Sequence, residues 1–133
     1  MKGQASLEYL LLCLVALSML ALSFSALIAI REAALRGASA LEFEKSASML
    51  GIAAREVCAL GSGNGREMSI QTPLDTESVK ADSGWVVRMT PSPSGGRNLS
   101  VVRPCQCEVE NRNGISGLVY VKNEDGKIRI RGR

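Results

Sequence analysis

The chain has 133 residues, a formal net charge of +3 and no histidine. This length allows one small folded domain beside a long helix. The absence of histidine removes the commonest general base and metal ligand, and an aromatic content of 4% disfavours nucleic-acid binding. The sequence contains no catalytic constellation, so it predicts neither an enzyme nor a cofactor.

The N-terminal segment carries the strongest signal. Residues 9–30 are apolar or small and uncharged. As a helix with a rise of about 1.5 Å per residue, they would extend roughly 33 Å, enough to cross a hydrocarbon core of about 30 Å. An acid, Glu8, directly precedes them. Because a carboxylate beside a membrane-spanning run is costly unless paired, Glu8 is predicted to be functional.

The first residues follow a recognisable pattern. A short basic leader ends in glycine, and glutamine, serine, glutamate and an apolar helix come after it in that order. The residues concerned are Lys2, Gly3, Gln4, Ser6 and Glu8. This order resembles the start of archaeal type IV prepilins with a class III signal peptide. A secretory signal peptide has the opposite arrangement, with its cleavage site after the apolar region.

The resemblance implies that a prepilin peptidase cuts between Gly3 and Gln4 on the cytoplasmic side, and that Lys2, Ser6 and Glu8 serve recognition and assembly. The leader is lost and the apolar helix stays. Glu8 would then pair with the N-terminal amine of a neighbouring subunit, since buried charges are tolerated best in pairs. If the N-terminal glutamine cyclises and loses its amine, Glu8 would need donors such as Ser6.

The helix is predicted to continue as an amphipathic segment over residues 31–61, which lack proline and are rich in alanine, leucine, glutamate and arginine. The predicted apolar face consists of Leu35, Ala38, Met49, Ala53, Val57 and Leu60. The glycine-rich run at residues 61–65 predicts the end of the helix.

Residues 62–133 change to a period of two and predict a β-sheet domain, which we call the head. The predicted strands are 68–72, 85–90, 98–103 and 105–110, followed by a hairpin of 118–122 and 127–131. Residues 73–83 are predicted to be a polar loop, with a weak strand near Val79 as the alternative. The expected fold is therefore α+β. A leader of residues 1–3 is followed by a helix at 4–30 that spans the membrane and later forms the filament core. The amphipathic continuation of this helix carries an antiparallel, extracytoplasmic head, as in type IV pilins.

The four cysteines predict one disulfide. Cys13 lies in the apolar helix and is predicted to be a small packing residue. Cys58 could pair with Cys105 or Cys107, and closing a loop of nearly fifty residues would contribute about 4 kcal/mol. Cys105 and Cys107 are poorly placed to join each other. Three cysteines at this spacing match no closed zinc pattern, so no metal is expected.

Two surface features have alternative interpretations. Asn98 begins an Asn-Leu-Ser glycosylation sequon. Cationic residues alternate along the C-terminal strand at Lys127, Arg129, Arg131 and Arg133. They could provide adhesion to an acidic surface. The favoured interpretation is that they protect an edge strand from aggregation.

The sequence thus predicts a structural subunit, a major or minor pilin, of an archaeal type IV pilus-like surface filament, with adhesion as one role open to the head. The expected partners are the prepilin peptidase, other pilin subunits, the membrane and a pilus assembly platform. The N-terminus would be cytoplasmic before assembly, and the filament would be extracellular. The alternative is a single-pass anchored binding or assembly protein that does not polymerise. A plain anchor has no use for Glu8 or for a peptidase site.

Overall fold

The computed structural model describes residues 2–93 and 99–132, with side chains from Ser6 onward. The chain divides after Ala38 into two units. Helix α1, Lys2–Leu60, provides the first unit and enters the second, which also contains a six-stranded sheet. The strands are β1 Gly65–Ala81, β2 Gly84–Pro91, β3 Val101–Cys105, β4 Glu108–Val109, β5 Arg112–Glu124 and β6 Lys127–Gly132. The predicted pilin-like α+β fold is confirmed.

The strand order is β3-β2-β1-β5-β6-β4, and every neighbouring pair is antiparallel except β4 and β6. Strand β1 pairs chiefly with β5 in its first half and with β2 in its second. The Thr76 hydroxyl also donates to the Glu110 carbonyl at 3.0 Å, and the Val109 N–H donates to Ser78 Oγ at 3.4 Å. Strands β1, β5, β6 and β4 therefore wrap into a nearly closed ring.

Within the second unit, α1 packs one face on this sheet. Its buried residues recur every three or four positions, and they are Phe43, Ser46, Ala47, Leu50, Ala53, Ala54 and Val57. The predicted face was right at Ala53 and Val57 but wrong at Met49 and Leu60, which are 43% and 61% exposed. The buried face combines the large Phe43 and Leu50 with small serine and alanine residues, and it lies to one side of Met49 and Leu60. At Gly51, an added Cβ would lie 3.2 Å from Cγ of Arg103.

Helix α1 ends where Gly61 adopts a φ of +86°, and Nδ2 of Asn64 donates to the Leu60 carbonyl at 2.7 Å. Asn123, only 2% exposed, holds this end to the sheet. Its Nδ2 donates to the Val57 carbonyl at 3.4 Å, and its Oδ1 accepts from the Gly126 N–H at 2.9 Å. These two hydrogen bonds therefore connect the turn between β5 and β6 to the last turn of the helix.

Two strand predictions were wrong. The predicted loop at 73–83 is instead the second half of β1, which pairs with β2 from Leu74 to Ala81 across a two-residue turn. The buried positions Met68, Ile70, Leu74 and Thr76 keep the period of two, but Thr76 is polar and Pro73 interrupts the run, so the continuation resembled a loop. The predicted strand 105–110 is interrupted by a bend at Gln106 and Cys107, since β3 and β4 pair with different strands.

Candidate functional site

The N-terminal turns of α1 carry the predicted cleavage and assembly residues. The backbone is helical from Lys2, so Gly3 and Gln4 lie in the first turn, while side chains are described only from Ser6. Ser6 and Glu8 are exposed, and Glu8 has no partner among the described side chains. Helical residues two positions apart do not face each other. Ser6 of the same chain is therefore poorly placed as a donor to Glu8, and that alternative requires another copy.

No described part of the chain covers the apolar stretch that follows. Between Leu7 and Ile30 the large apolar side chains are 46–75% exposed. The serine hydroxyls between Leu7 and Ile30 are satisfied internally, because those of Ser18, Ser23 and Ser25 each donate to a helix carbonyl at 2.8 Å. Among the described residues there is one helix long and apolar enough to cross a membrane. These properties fit anchoring in a membrane, where no water is present to satisfy polar groups.

Charged residues end the apolar stretch. Arg31 and Glu32 are the first charges after Glu8. Glu32 and Arg36 form an exposed ion pair at 3.6 Å, one helical turn apart. An exposed pair of this kind contributes little to stability, about 0.3–0.5 kcal/mol. The position of these charges is more informative. Because Arg31 directly follows Ile30, the uncharged run ends at Ile30.

The cysteines of the head form one disulfide. Of the two pairings left open by the sequence, the structure contains Cys58–Cys107, with a Cα–Cα distance of 5.9 Å. Cys105 is a free, buried thiol, and Cys13 is free and exposed on the apolar stretch. The disulfide joins the last turn of α1 to the bend between β3 and β4. It therefore ties the helix to the sheet across a long loop.

A groove lies beside this disulfide, between the last turns of α1 and the β2–β3 hairpin. It has a volume of about 620 Å³. Trp85, Val86 and Pro104 line the groove on the strand side, and the charged residues Arg55 and Glu56 line it on the helix side. No sequence signal indicated this groove, because it depends on packing between residues distant in the chain.

Only Lys127 of the cationic row lies where β6 has a strand neighbour on its outer side, because β4 pairs with Lys127 and Ile128 alone. The edge-strand interpretation stays a prediction for Arg129 and Arg131. Strand β6 lies between β5 and β4. Beyond the two residues that pair with β4, the Ile130 N–H donates to the Glu110 carboxylate at 3.3 Å, and the Ile130 carbonyl accepts from the Arg112 guanidinium. These side chains cover the backbone groups that an edge strand would leave open.

Two carboxylates offset part of the positive charge in this row. The Glu124 carboxylate contacts the cationic groups of Lys122 at 3.5 Å, Arg129 at 2.9 Å and Arg131 at 3.5 Å. Lys127 pairs with Glu108 at 2.9 Å. The row is thus a network of ion pairs on the outer face of β5 and β6, and it presents less net charge than the sequence pattern indicated.

Two further predictions concern ligands and modification. Arg133 and Asn98, the predicted glycosylation site, lie outside the described residues, and β3 begins at Val101 rather than at position 98. In the part of the chain that the structure describes, no group of three or more cysteine, aspartate or glutamate residues is placed to hold a metal ion.

The comparisons with known proteins bear on the N-terminal segment. A family model described as Class III signal peptide matches residues 2–25. That range contains Gly3, Gln4, Glu8 and most of the apolar stretch. No curated protein and no solved structure matches the chain. The chain therefore carries a class III signal peptide, the type IV pilin-like signal, which implies processing by a prepilin peptidase and association with a membrane.

Proposed function

We propose that this protein is a structural subunit of an archaeal type IV pilus-like surface filament, assembled through its N-terminal helix. The observation that carries the proposal is the apolar stretch between Leu7 and Ile30, which remains after cleavage and whose large side chains are 46–75% exposed. Lipid would cover these side chains before assembly. Helices of neighbouring copies would cover them in the filament.

The position of Glu8 supports polymerisation over simple anchoring. A lone anchor gains nothing from a carboxylate at the start of its membrane run, since the charge resists burial. In a filament, the amine created by cleavage before Gln4 supplies a cation for the carboxylate of an adjacent copy. Pairing of two desolvated charges is far less costly than burial of either one alone.

The proposal places the head on the outside of the filament, as a coat around the helices. Its disulfide and continuous apolar core suit an extracytoplasmic setting, where disulfides persist. Adhesion through the cationic row is not part of the proposal. Glu124 and Glu108 form ion pairs with its described cations and offset part of its charge.

The test is to make the full chain in an archaeal host, to measure its intact mass and N-terminal sequence, and to search shed material by electron microscopy. A chain beginning at Gln4, or its cyclised form, recovered in filaments would support the proposal. A correctly trimmed chain that remains in the membrane without filaments would favour the non-polymerising anchor. A chain cut after the apolar stretch would overturn both interpretations.

A further inference from the structure

The head contains a third cysteine that its disulfide leaves unused. Cys105 is only 7% exposed and belongs to the apolar core. Its surroundings place it against the end of α1. It lines a small cavity with Ala54, and it lines the 620 Å³ groove with Cys58. Cys105 therefore borders one space with Ala54 and another with Cys58, and these two helix residues are one turn apart on the same side of α1.

We propose that Cys105 and Cys107 exchange as partners of Cys58, so that the head has two interconvertible disulfide isomers. The Cys105 thiolate attacks Sγ of Cys58 and forms a new S–S bond. The Cys58–Cys107 bond breaks, and its electron pair leaves on the sulfur of Cys107, which takes up a proton equivalent to the one that Cys105 lost. The numbers of thiols and disulfides are unchanged, so the step needs neither an oxidant nor a reductant.

Chain entropy does not choose between the isomers. The loop closed by Cys58–Cys105 is only two residues shorter than the 49-residue separation of the present disulfide, and loop entropy varies with the logarithm of length. The choice therefore depends on local geometry. Cys105 is held in β3 opposite Trp85, whereas Cys107 lies in a bend outside the strand ladders. The bend can move away from α1 without breaking a ladder hydrogen bond.

The exchange would change what the head presents to solvent. In the present isomer the free thiol is the buried one, and Cys107 is half-buried in the disulfide. In the other isomer Cys107 becomes the free thiol, in an exposed bend. The covalent link also moves from the bend to the end of β3, which borders the groove. The isomers would therefore differ in the accessibility of their thiol and in one wall of the groove.

Trapping with a maleimide tests the exchange in the full chain, purified in detergent without reductant. Native labelling would run for about a day, because uncatalysed disulfide rearrangement takes minutes to hours. The reaction would then be quenched with acid and the protein digested. Mass spectrometry with fragmentation on either side of Gln106 would show which cysteine carries the label and which cysteine is linked to Cys58. The expected result is progressive loss of Cys58–Cys107, an equal gain of Cys58–Cys105, and label on Cys107. Label on Cys105 alone, or on neither cysteine, would overturn the proposal.

Two variants give an independent test. Cys107→Ser should form Cys58–Cys105 and keep the cooperative melting of the head. A folded Cys107→Ser chain in which Cys58 and Cys105 both remain free thiols would show that the geometry forbids the second isomer. Cys105→Ser is the matched control, since it retains Cys58–Cys107 but lacks the attacking thiol, and it should show no time-dependent label on Cys107. If Cys107→Ser fails to fold, the trapping experiment on the native chain still decides.

Discussion

The two parts of α1 differ in what covers their apolar side chains, although both are rich in leucine and alanine. Between Leu7 and Ile30 the large apolar side chains are 46–75% exposed. Between Phe43 and Val57 the apolar residues that face the sheet are only 0–4% exposed. One helix thus serves two environments, and the chain provides only the second of them.

This difference separates two sources of stability. Apolar burial contributes roughly 25 cal/mol per Å² removed from water, but only where a covering surface exists. In the head, the sheet provides that surface. For the N-terminal part, lipid or other helices must provide it. Substitutions in the first part should therefore alter processing and assembly, whereas substitutions in the second should alter the unfolding free energy of the head.

The largest expected effect is on processing. Gly3→Asp should abolish the trimmed chain, because the peptidase would have to accept a charged side chain at the residue before the cut. Intact mass of the membrane fraction measures this. Gly37→Asp is the matched control, since a Cβ at Gly37 meets nothing within 4 Å and lies far from the cut in sequence. Normal trimming of the Gly3→Asp chain would refute the proposed cleavage site.

Removing the acid at the start of the apolar stretch should affect assembly alone. Glu8→Ala is expected to leave cleavage near its normal level and to reduce filaments to background, because the new N-terminal amine loses its partner. Intact mass and quantitative electron microscopy provide the two measurements. Glu44→Ala removes another exposed acid from α1, in the part that belongs to the head, and should leave both unchanged. A normal filament yield from Glu8→Ala would disprove the pairing role.

The N-terminal features could be predicted because they are encoded locally. The order of Gly3, Gln4 and Glu8, followed by an uncharged run, identifies the segment without any tertiary contact. The hairpin between β5 and β6 could be predicted for a similar reason. Asp125 and Gly126 have φ values of 54° and 84°, and this pair of residues favours the tight turn that needs them.

Other features depend on contacts that no local pattern records. Thr76 is a polar residue, yet it is buried because its hydroxyl bonds to backbone groups of Glu110 and Arg112. The second half of β1 therefore resembled a loop. The choice of Cys107 over Cys105 depends on a bend that forms because β3 and β4 join different neighbours. Both outcomes are set by strand pairing at long range.

Within the head, two identical substitutions on α1 should have unequal effects. Leu50 is 1% exposed and Leu41 is 68% exposed. Leu50→Ala should lower the unfolding free energy by roughly 2–5 kcal/mol, because it leaves a cavity against the sheet. Leu41→Ala should change it by no more than about 0.5 kcal/mol. Denaturant titration followed by fluorescence of the single tryptophan, Trp85, measures both. Equal losses would mean that the sheet does not cover the proposed face.

The smallest expected effect concerns the polar contact that joins α1 to the sheet. Asn123 is only 2% exposed. Asn123→Ala removes the amide that donates to the Val57 carbonyl and the oxygen that accepts from the Gly126 N–H. Leaving these buried groups unpaired should cost about 1–3 kcal/mol in unfolding free energy. Asn113→Ala, at an exposed position of β5, is the control and should be nearly neutral. If both variants unfold at the same denaturant concentration as the parent chain, the Asn123 side chain contributes nothing measurable, and apolar packing and the Cys58–Cys107 disulfide hold the helix end to the sheet. A loss confined to Asn123→Ala would show that the second part of α1 is fixed by specific hydrogen bonds as well as by its buried face.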